Sequence, residues 1–403
     1  MIYMMKKTFL LLAVLLLLPA LFACNEQSPA AGGILIDDTI NVSVLRSDSV
    51  LLISGAQAFP AKPIASYSSL LFIGAANGTE ALTLVRFGNI PDSLADAEIV
   101  DADMILQPVR YTFGDSVTNR LSFNALKIKK LWTPQATIDT VSDPGFLDNR
   151  SLALWSGSIP LKDTMAAIST KFDKQTLAEW FKIKAQTKSD SLIYGIALRP
   201  DKSASGVIRA FARRTPTDQT QPPVKIRVLY KKNSTASIDS LFLETGYDGT
   251  FIIAPAAQEN TITLNAGAGQ YNDISFRFDS IPQGVAIHGA ELTLTLDPQR
   301  SQAGNAGRDT VIMAQFTDSL ASGILREYYA VTSSTSNTYT FTALNSMVES
   351  ILRQNSRRGI LRIMPFTPRD RNRTDRMVFF GPAENDISRR PLLKIIYSTR
   401  PRK

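Results

Sequence analysis

The sequence predicts an all-β protein built as two tandem antiparallel β-sandwich modules, each carrying one short helix. Three observations predict it. A stretch occurs twice: Arg86-Phe87-Gly88-Asn89-Ile90-Pro91 before Ala102-Asp103-Met104-Ile105-Leu106, and Arg277-Phe278-Asp279-Ser280-Ile281-Pro282 before Ala290-Glu291-Leu292-Thr293-Leu294-Thr295-Leu296. Self-similarity of this kind argues for duplicated units. Next, Leu292, Leu294 and Leu296 alternate with Glu291, Thr293 and Thr295, which is the period of a half-buried strand. Finally, short apolar runs are punctuated by turn residues such as Asn77-Gly78 and Gly88-Asn89.

The bulk composition bounds the chemistry. At 403 residues and 44% hydrophobic content, the chain is long enough for two cored domains. Its net charge of +8 falls to +6 if Lys6 and Lys7 leave with a signal segment, a modest excess that suits polyanions without choosing among them. A single cysteine, Cys24, excludes an internal disulfide and a thiolate metal cluster. A single histidine, His288, excludes multi-histidine metal sites and leaves little room for a Ser-His-Asp triad; it reads as a surface or edge residue.

The start of the chain reads as an export signal over residues 1–23, with Lys6-Lys7 before an apolar run from Phe9 to Phe22 that is short for a membrane span. Leu21-Phe22-Ala23-Cys24 resembles the lipobox of bacterial lipoproteins, which implies lipidation of Cys24 and membrane attachment through that lipid. Asn25, rather than aspartate, follows the cysteine, which by analogy with Gram-negative sorting implies the outer membrane. Residues 24–37 are small and polar, as a tether should be.

Residues 38–232 are expected to form the first module. Strands are expected at Ile40 to Leu45, Val50 to Ser54, Leu70 to Ile73, Leu82 to Phe87, Ile99 to Leu106 and Leu121 to Trp132. Trp132 to Phe172 spans 40 positions where Phe316 to Phe341 spans 25, so the first module carries an insertion, around Asp143-Pro144-Gly145. A helix follows, with Thr176-x-x-Glu179 as a capping box and Leu177, Trp180 and Phe181 on its apolar face. After the polar stretch from Lys231 to Ser237 the same order returns over residues 238–400. Ser346-x-x-Glu349 is again a capping box, with Leu344, Met347, Val348, Ile351 and Leu352 as the apolar stripe.

The order just given runs from a strand ending in Arg-Phe and an Ile-Pro turn through an Ala-x-Leu-x-Leu strand and a short helix. It then continues with a strand opening on glycine and a closing strand from Pro391 to Tyr397. It resembles the DNRLRE-type domains, close to carbohydrate-binding module family 96. The resemblance covers most of Thr261 to Tyr397 and is weaker over Leu70 to Tyr230, where Gly88 stands in place of the usual aspartate. It implies a jelly-roll-like sandwich and, by association, glycan binding.

Candidate ligand contacts are few. Trp132 and Trp155 flank or occupy the insertion, where an indole could stack on a sugar ring; Tyr328-Tyr329 is a weaker candidate. Arg369, Arg371, Arg373 and Arg376 form the densest basic run and suit carboxylate, sulfate or phosphate, although Asp370 and Asp375 within it could pair internally. Arg86 and Arg277 read as strand-end arginines bonded to turn carbonyls. No cofactor is expected; Asp248, Asp273, Asp279 and Asp297 are the carboxylates that could hold a structural calcium. The expected function is non-catalytic binding of polysaccharide, with a preference for acidic glycan, on a surface lipoprotein that does not bind nucleic acid. A structural or assembly lipoprotein binding a protein partner is the alternative, and a lyase or hydrolase built on Tyr, Arg and Lys a lesser one.

Overall fold

The computed structural model describes residues 41–59, 64–162, 166–213, 224–232, 237–317, 324–366 and 371–399; the expected signal segment, Cys24 and the expected tether lie outside them. The chain is all-β, its strands paired antiparallel throughout. None of its described helices is long and apolar enough to cross a membrane.

The first module is made from β3 (Leu71–Ala76), β4 (Thr79–Gly88), β5 (Glu98–Leu106), β6 (Pro108–Gly114), β7 (Arg120–Ile128), β8 (Leu147–Ser158), β9 (Ile168–Lys171), β10 (Ile196–Pro200), β11 (Val207–Phe211), β12 (Lys225–Lys231) and β13 (Asp239–Ile253). Apolar residues of its strands meet in one core with Leu177, Trp180 and Phe181 of a helix, Lys174–Thr187. The insertion adds a shorter helix of its own, so this module has two: α1 (Ile138–Ser142) and α2 (Lys174–Thr187). The cap of α2 is Asp173, whose carboxylate accepts from the Thr176 amide at 2.9 Å; Thr176 is not the cap but a buried first-turn residue.

The second module contains β14 (Thr261–Asn265), β15 (Tyr271–Arg277), β16 (Ala286–Thr295), β17 (Val311–Thr317), β18 (Ile324–Val331), β19 (Thr338–Phe341), β20 (Arg358–Pro365), β21 (Arg376–Phe380) and β22 (Leu392–Thr399). Its helix, α3 (Asn345–Arg353), starts one residue before Ser346 and has no side-chain cap. Its buried Met347, Val348 and Ile351 face the core as the stripe requires. A Cβ on Gly359 would meet the Ile351 side chain, so glycine at that position leaves room for α3 against the start of β20.

The partition differs from the expected one at both ends. The first two strands, β1 (Asn41–Arg46) and β2 (Ile53–Phe59), do not join the first module: β1 pairs with β22, and β2 with β15. Conversely β13, beyond the expected boundary at 232–238, pairs with β12 and β4 of the first module. The chain passes between modules at Ala254 to Asn260. Each sandwich needs a corner strand that closes both of its layers at one edge. In the first module β13 supplies this alone: its first half lies on β12, its second half on β4. In the second module β1 and β2 divide the same work. Leu45 lies opposite Ile395 as Leu241 lies opposite Val228, and Ala56 opposite Ile274 as Thr250 opposite Thr83. The resulting sheet runs β1-β22-β16-β19-β18-β17-β20-β15-β2, its two layers joined at Ala330 opposite Phe341. Leu52 and Ile53 are the fully buried anchors of the N-terminal pair in that core.

The modules meet across a buried polar cluster. The Tyr111 hydroxyl donates to Asp375 Oδ1 at 3.0 Å and accepts from the Thr374 amide at 2.9 Å. Asp375 also accepts from the Gly304 amide at 2.8 Å and from Arg373 at 3.0 Å. Asn305 reaches across as well, accepting from the Thr112 amide at 2.9 Å and donating to the Arg110 carbonyl at 2.7 Å. Burial is the largest influence on the Asp375 carboxyl and pushes it up, against Gly304, Arg373 and Tyr111, which favour its charge.

Two outcomes follow. Leu52→Ala should lower the hydrogen-exchange protection of β15 and β22 by about 2–4 kcal/mol while β5 and β7 keep theirs, because the lost volume lies in the second core alone. For Asp375, a folded pKa above the unfolded value means more protons bound folded than unfolded. Its contribution is complete below about pH 4 and is lost as pH rises through the folded pKa. Asp375→Asn should therefore show a smaller fall in Tm than the unaltered chain between about pH 4 and about pH 7 in thermal melts.

Candidate functional site

Duplication makes the two modules controls for each other. Counting back from Arg86 and Arg277, Leu82 corresponds to Asp273 and Leu84 to Ser275, on the strand face turned away from the main core. In the first module that outer face is sealed. Leu82, Leu84, Ala197 and Phe251 are buried under Ala65 and under Trp132, Ala136 and Phe146 of the insertion, which together form a third apolar cluster. Arg86 is sealed with them, donating to Tyr247 Oη at 2.6 Å and to the Asp190 carbonyl at 2.7 Å. The strand-end role expected of Arg86 is thus what the structure shows.

In the second module the same face is open and forms a groove of about 780 Å³ over β2, β15, β20 and β17. Its floor is a cross-strand ladder. Asp273 lies opposite both Gln57 and Arg362, and Gln315 lies opposite both Arg362 and Glu327. Arg362 grips Asp273 with two bonds, of 2.8 and 3.0 Å, and these hold its guanidinium above its ordinary pKa. Gln315 donates to Glu327 at 3.1 Å. One row along, Phe59 stacks on Tyr271 with centroids 5.5 Å apart, and the Arg362 guanidinium lies 4.0 Å from the Tyr271 ring centre. At the far side Tyr329 stands half out of the surface against Phe366, its hydroxyl donating to Glu327 at 2.8 Å. At the other end Arg277 and Arg358 are direct cross-strand partners, both exposed. Arg277 is held by Asp279, not by turn carbonyls, and among the described residues Arg358 has no carboxylate partner. Asp279 thus offsets the Arg277 charge that faces Arg358 across the strands, and the Arg358 guanidinium is left to solvent.

The residues singled out in the sequence fare differently. Trp132 is 2% exposed and its indole donates to the Tyr194 carbonyl at 2.8 Å, with Tyr247 against its ring; it is part of the seal and offers no face to a ligand. Trp155 is half-buried on β8, stacked on Phe123 at 5.9 Å and far from the groove in the fold, since it belongs to the first core. Arg371, Arg373 and Arg376 do not form a free basic patch. Arg371 lies 5.3 Å from the Tyr67 ring, and its carbonyl accepts from Ser68 Oγ at 2.7 Å; Arg373 is spent on Asp375 and the Gly307 carbonyl. Arg376 opens β21, where partial burial lowers its pKa. Arg369 lies outside the described residues. The run is therefore mainly part of the module interface, as its internal aspartates allowed. His288 is exposed, paired with Ser398 Oγ at 2.7 Å.

Nor are the four calcium candidates brought together. Asp248 pairs with Arg213, Asp273 with Arg362, Asp279 with Arg277 and Asp297 with Arg300. Among the described residues no group of three or more carboxylate, histidine or cysteine side chains could hold a metal. The groove residues Arg362 and Gln315 were not singled out in the sequence. The signal that marks them is the change from leucine at 82 and 84 to aspartate and serine at 273 and 275.

Comparison with known proteins adds no identity. No family description matches the chain, and no curated protein matches it. Among solved structures, the VP2 subviral particle of infectious bursal disease virus is 8% identical, covering 90% of this chain and 78% of the viral one, with a TM-score of 0.12. A structure of the Gx strain of the same virus is 9% identical over the same shares, again with a TM-score of 0.12.

Proposed function

We propose that the protein is a lipid-anchored surface lipoprotein that binds polysaccharide, without turnover, on the open outer face of its second module. The observation that carries this reading is the contrast between duplicates: one outer face is roofed by its own insertion, and its counterpart is left as a groove with a polar ladder, on a sheet that also carries the Phe59–Tyr271 and Tyr329–Phe366 ring pairs. Ladders of hydrogen-bonding side chains flanked by partly exposed rings suit sugars, whose hydroxyls and C–H faces need both. The preference for acidic glycan moves from the C-terminal run to the Arg277–Arg358 end of the groove, where Arg358, exposed and with no carboxylate of its own among the described residues, suits a carboxylate or sulfate. Asp273 in the groove and Glu327 beside it are committed to Arg362, Gln315 and Tyr329, which favours binding over acid–base chemistry. The anchor rests on Cys24 and the lipobox, and the outer membrane on Asn25.

Exposed Ile360 and Val331 on the same sheet also fit a protein partner, which is the second reading. The chain from residue 25 should be retarded in native gels containing an acidic polysaccharide, less so as salt rises. Arg358→Ala and Tyr329→Ala should each weaken retardation about 10-fold, or about 1.4 kcal/mol, and Trp155→Ala should leave it unchanged. Absence of retardation by every polysaccharide tried, at low and high salt, would discard glycan binding in favour of a protein partner.

A further inference from the structure

The crossing of corner strands carries an inference about self-association. In chain order, β1–β2 precede the body of the first module and complete the second, while β13 precedes the body of the second and completes the first. Equivalent elements are thus already exchanged between equivalent sites within one polypeptide. The two donors are held unequally. β13 buries Leu243, Asp248, Thr250, Phe251 and Ile252, whereas β1 has no fully buried residue and leaves Val42 and Val44 more than half exposed. The burial of the N-terminal segment rests on Leu52, just before β2, and Ile53, at its start.

We propose that β1–β2 form an exchangeable donor, and that the acceptor edge formed by β22 and β15 also takes the β1–β2 of a second copy, giving a reciprocal strand-exchanged dimer. Every contact made within the chain is available between copies, because donor and acceptor are the same segments. What differs is the entropic cost of closing the chain on itself, which grows slowly with the length of the intervening chain, so that pairing between copies competes better as concentration rises. Reciprocal exchange leaves no acceptor edge empty, so the dimer is closed.

The test uses register. Val44 lies directly opposite Ile396, and the chain from residue 25 contains no cysteine. Val44→Cys is prepared in one chain and Ile396→Cys in another, and the two are mixed, unfolded, refolded together and oxidised. A chain carrying both substitutions controls for the pairing itself, and Val44→Cys mixed with Val117→Cys, an exposed position on the other module, controls for random collision. The expected result is a crosslinked Val44→Cys/Ile396→Cys dimer on non-reducing gels, increasing with concentration and at least ~10-fold above the Val117→Cys mixture. The proposal is overturned if the double variant closes within one chain while the mixed variants stay at the collision level. It is equally overturned if the double variant does not close at all.

Discussion

The structure depends on one pairing: the N-terminal strands against the edge of the C-terminal module. A β-sandwich with a bare corner would leave its apolar core open along two layers and β22 and β15 as edges ready to pair with other chains; Leu52 and Ile53 close that core here. The first module solves this with the strand that follows it in the chain. The second draws on strands more than 200 residues away, placing Asn41 beside Thr399 and closing the polypeptide on itself. The Tyr111–Asp375 cluster fastens the same closure from the middle.

Closure explains why two copies of one fold could diverge. With both cores complete, the outer faces are free to change. The first copy placed leucines at 82 and 84 and covered them with an insertion whose Trp132 and Phe146 have no counterpart over the groove. The second has aspartate and serine at the corresponding positions and is uncovered. The consequence is an exchange of the roles that the sequence suggested: the insertion is a lid of packing, and the module without it holds the accessible surface.

Much of the fold was legible in the sequence because it is encoded locally. Alternation gave the strands of the second module, and the i, i+3, i+4 stripes gave α2 and α3, since burial of one face dictates both patterns. The cap of α2 was misread because Asp173, at the true boundary, competes with a motif three residues further on, and that of α3 because its boundary residue, Leu344, provides no side-chain cap. Strand partnership was not legible: β1, β2 and β13 have patterns that suit either module, and the choice is made by which edge stands open in three dimensions. The candidate site was hidden for a related reason. Arg362, Gln315 and Asp273 lie on separate strands, and only register aligns them. The basic run, by contrast, was conspicuous in the sequence because contiguous charge is easy to see, whereas the partners that consume it, Tyr67 and the Gly307 carbonyl, are remote.

The N-terminal closure is tested most directly by a nitroxide at position 42 of the monomeric chain from residue 25, introduced through Val42→Cys, with amide resonances read for paramagnetic broadening. The account predicts that the label broadens Leu392 to Thr399 and leaves Lys225 to Lys231 sharp, since Val42 lies opposite Ser398. Broadening of Lys225 to Lys231, with Leu392 to Thr399 unaffected, would show each module completed by its own preceding strands and would contradict it.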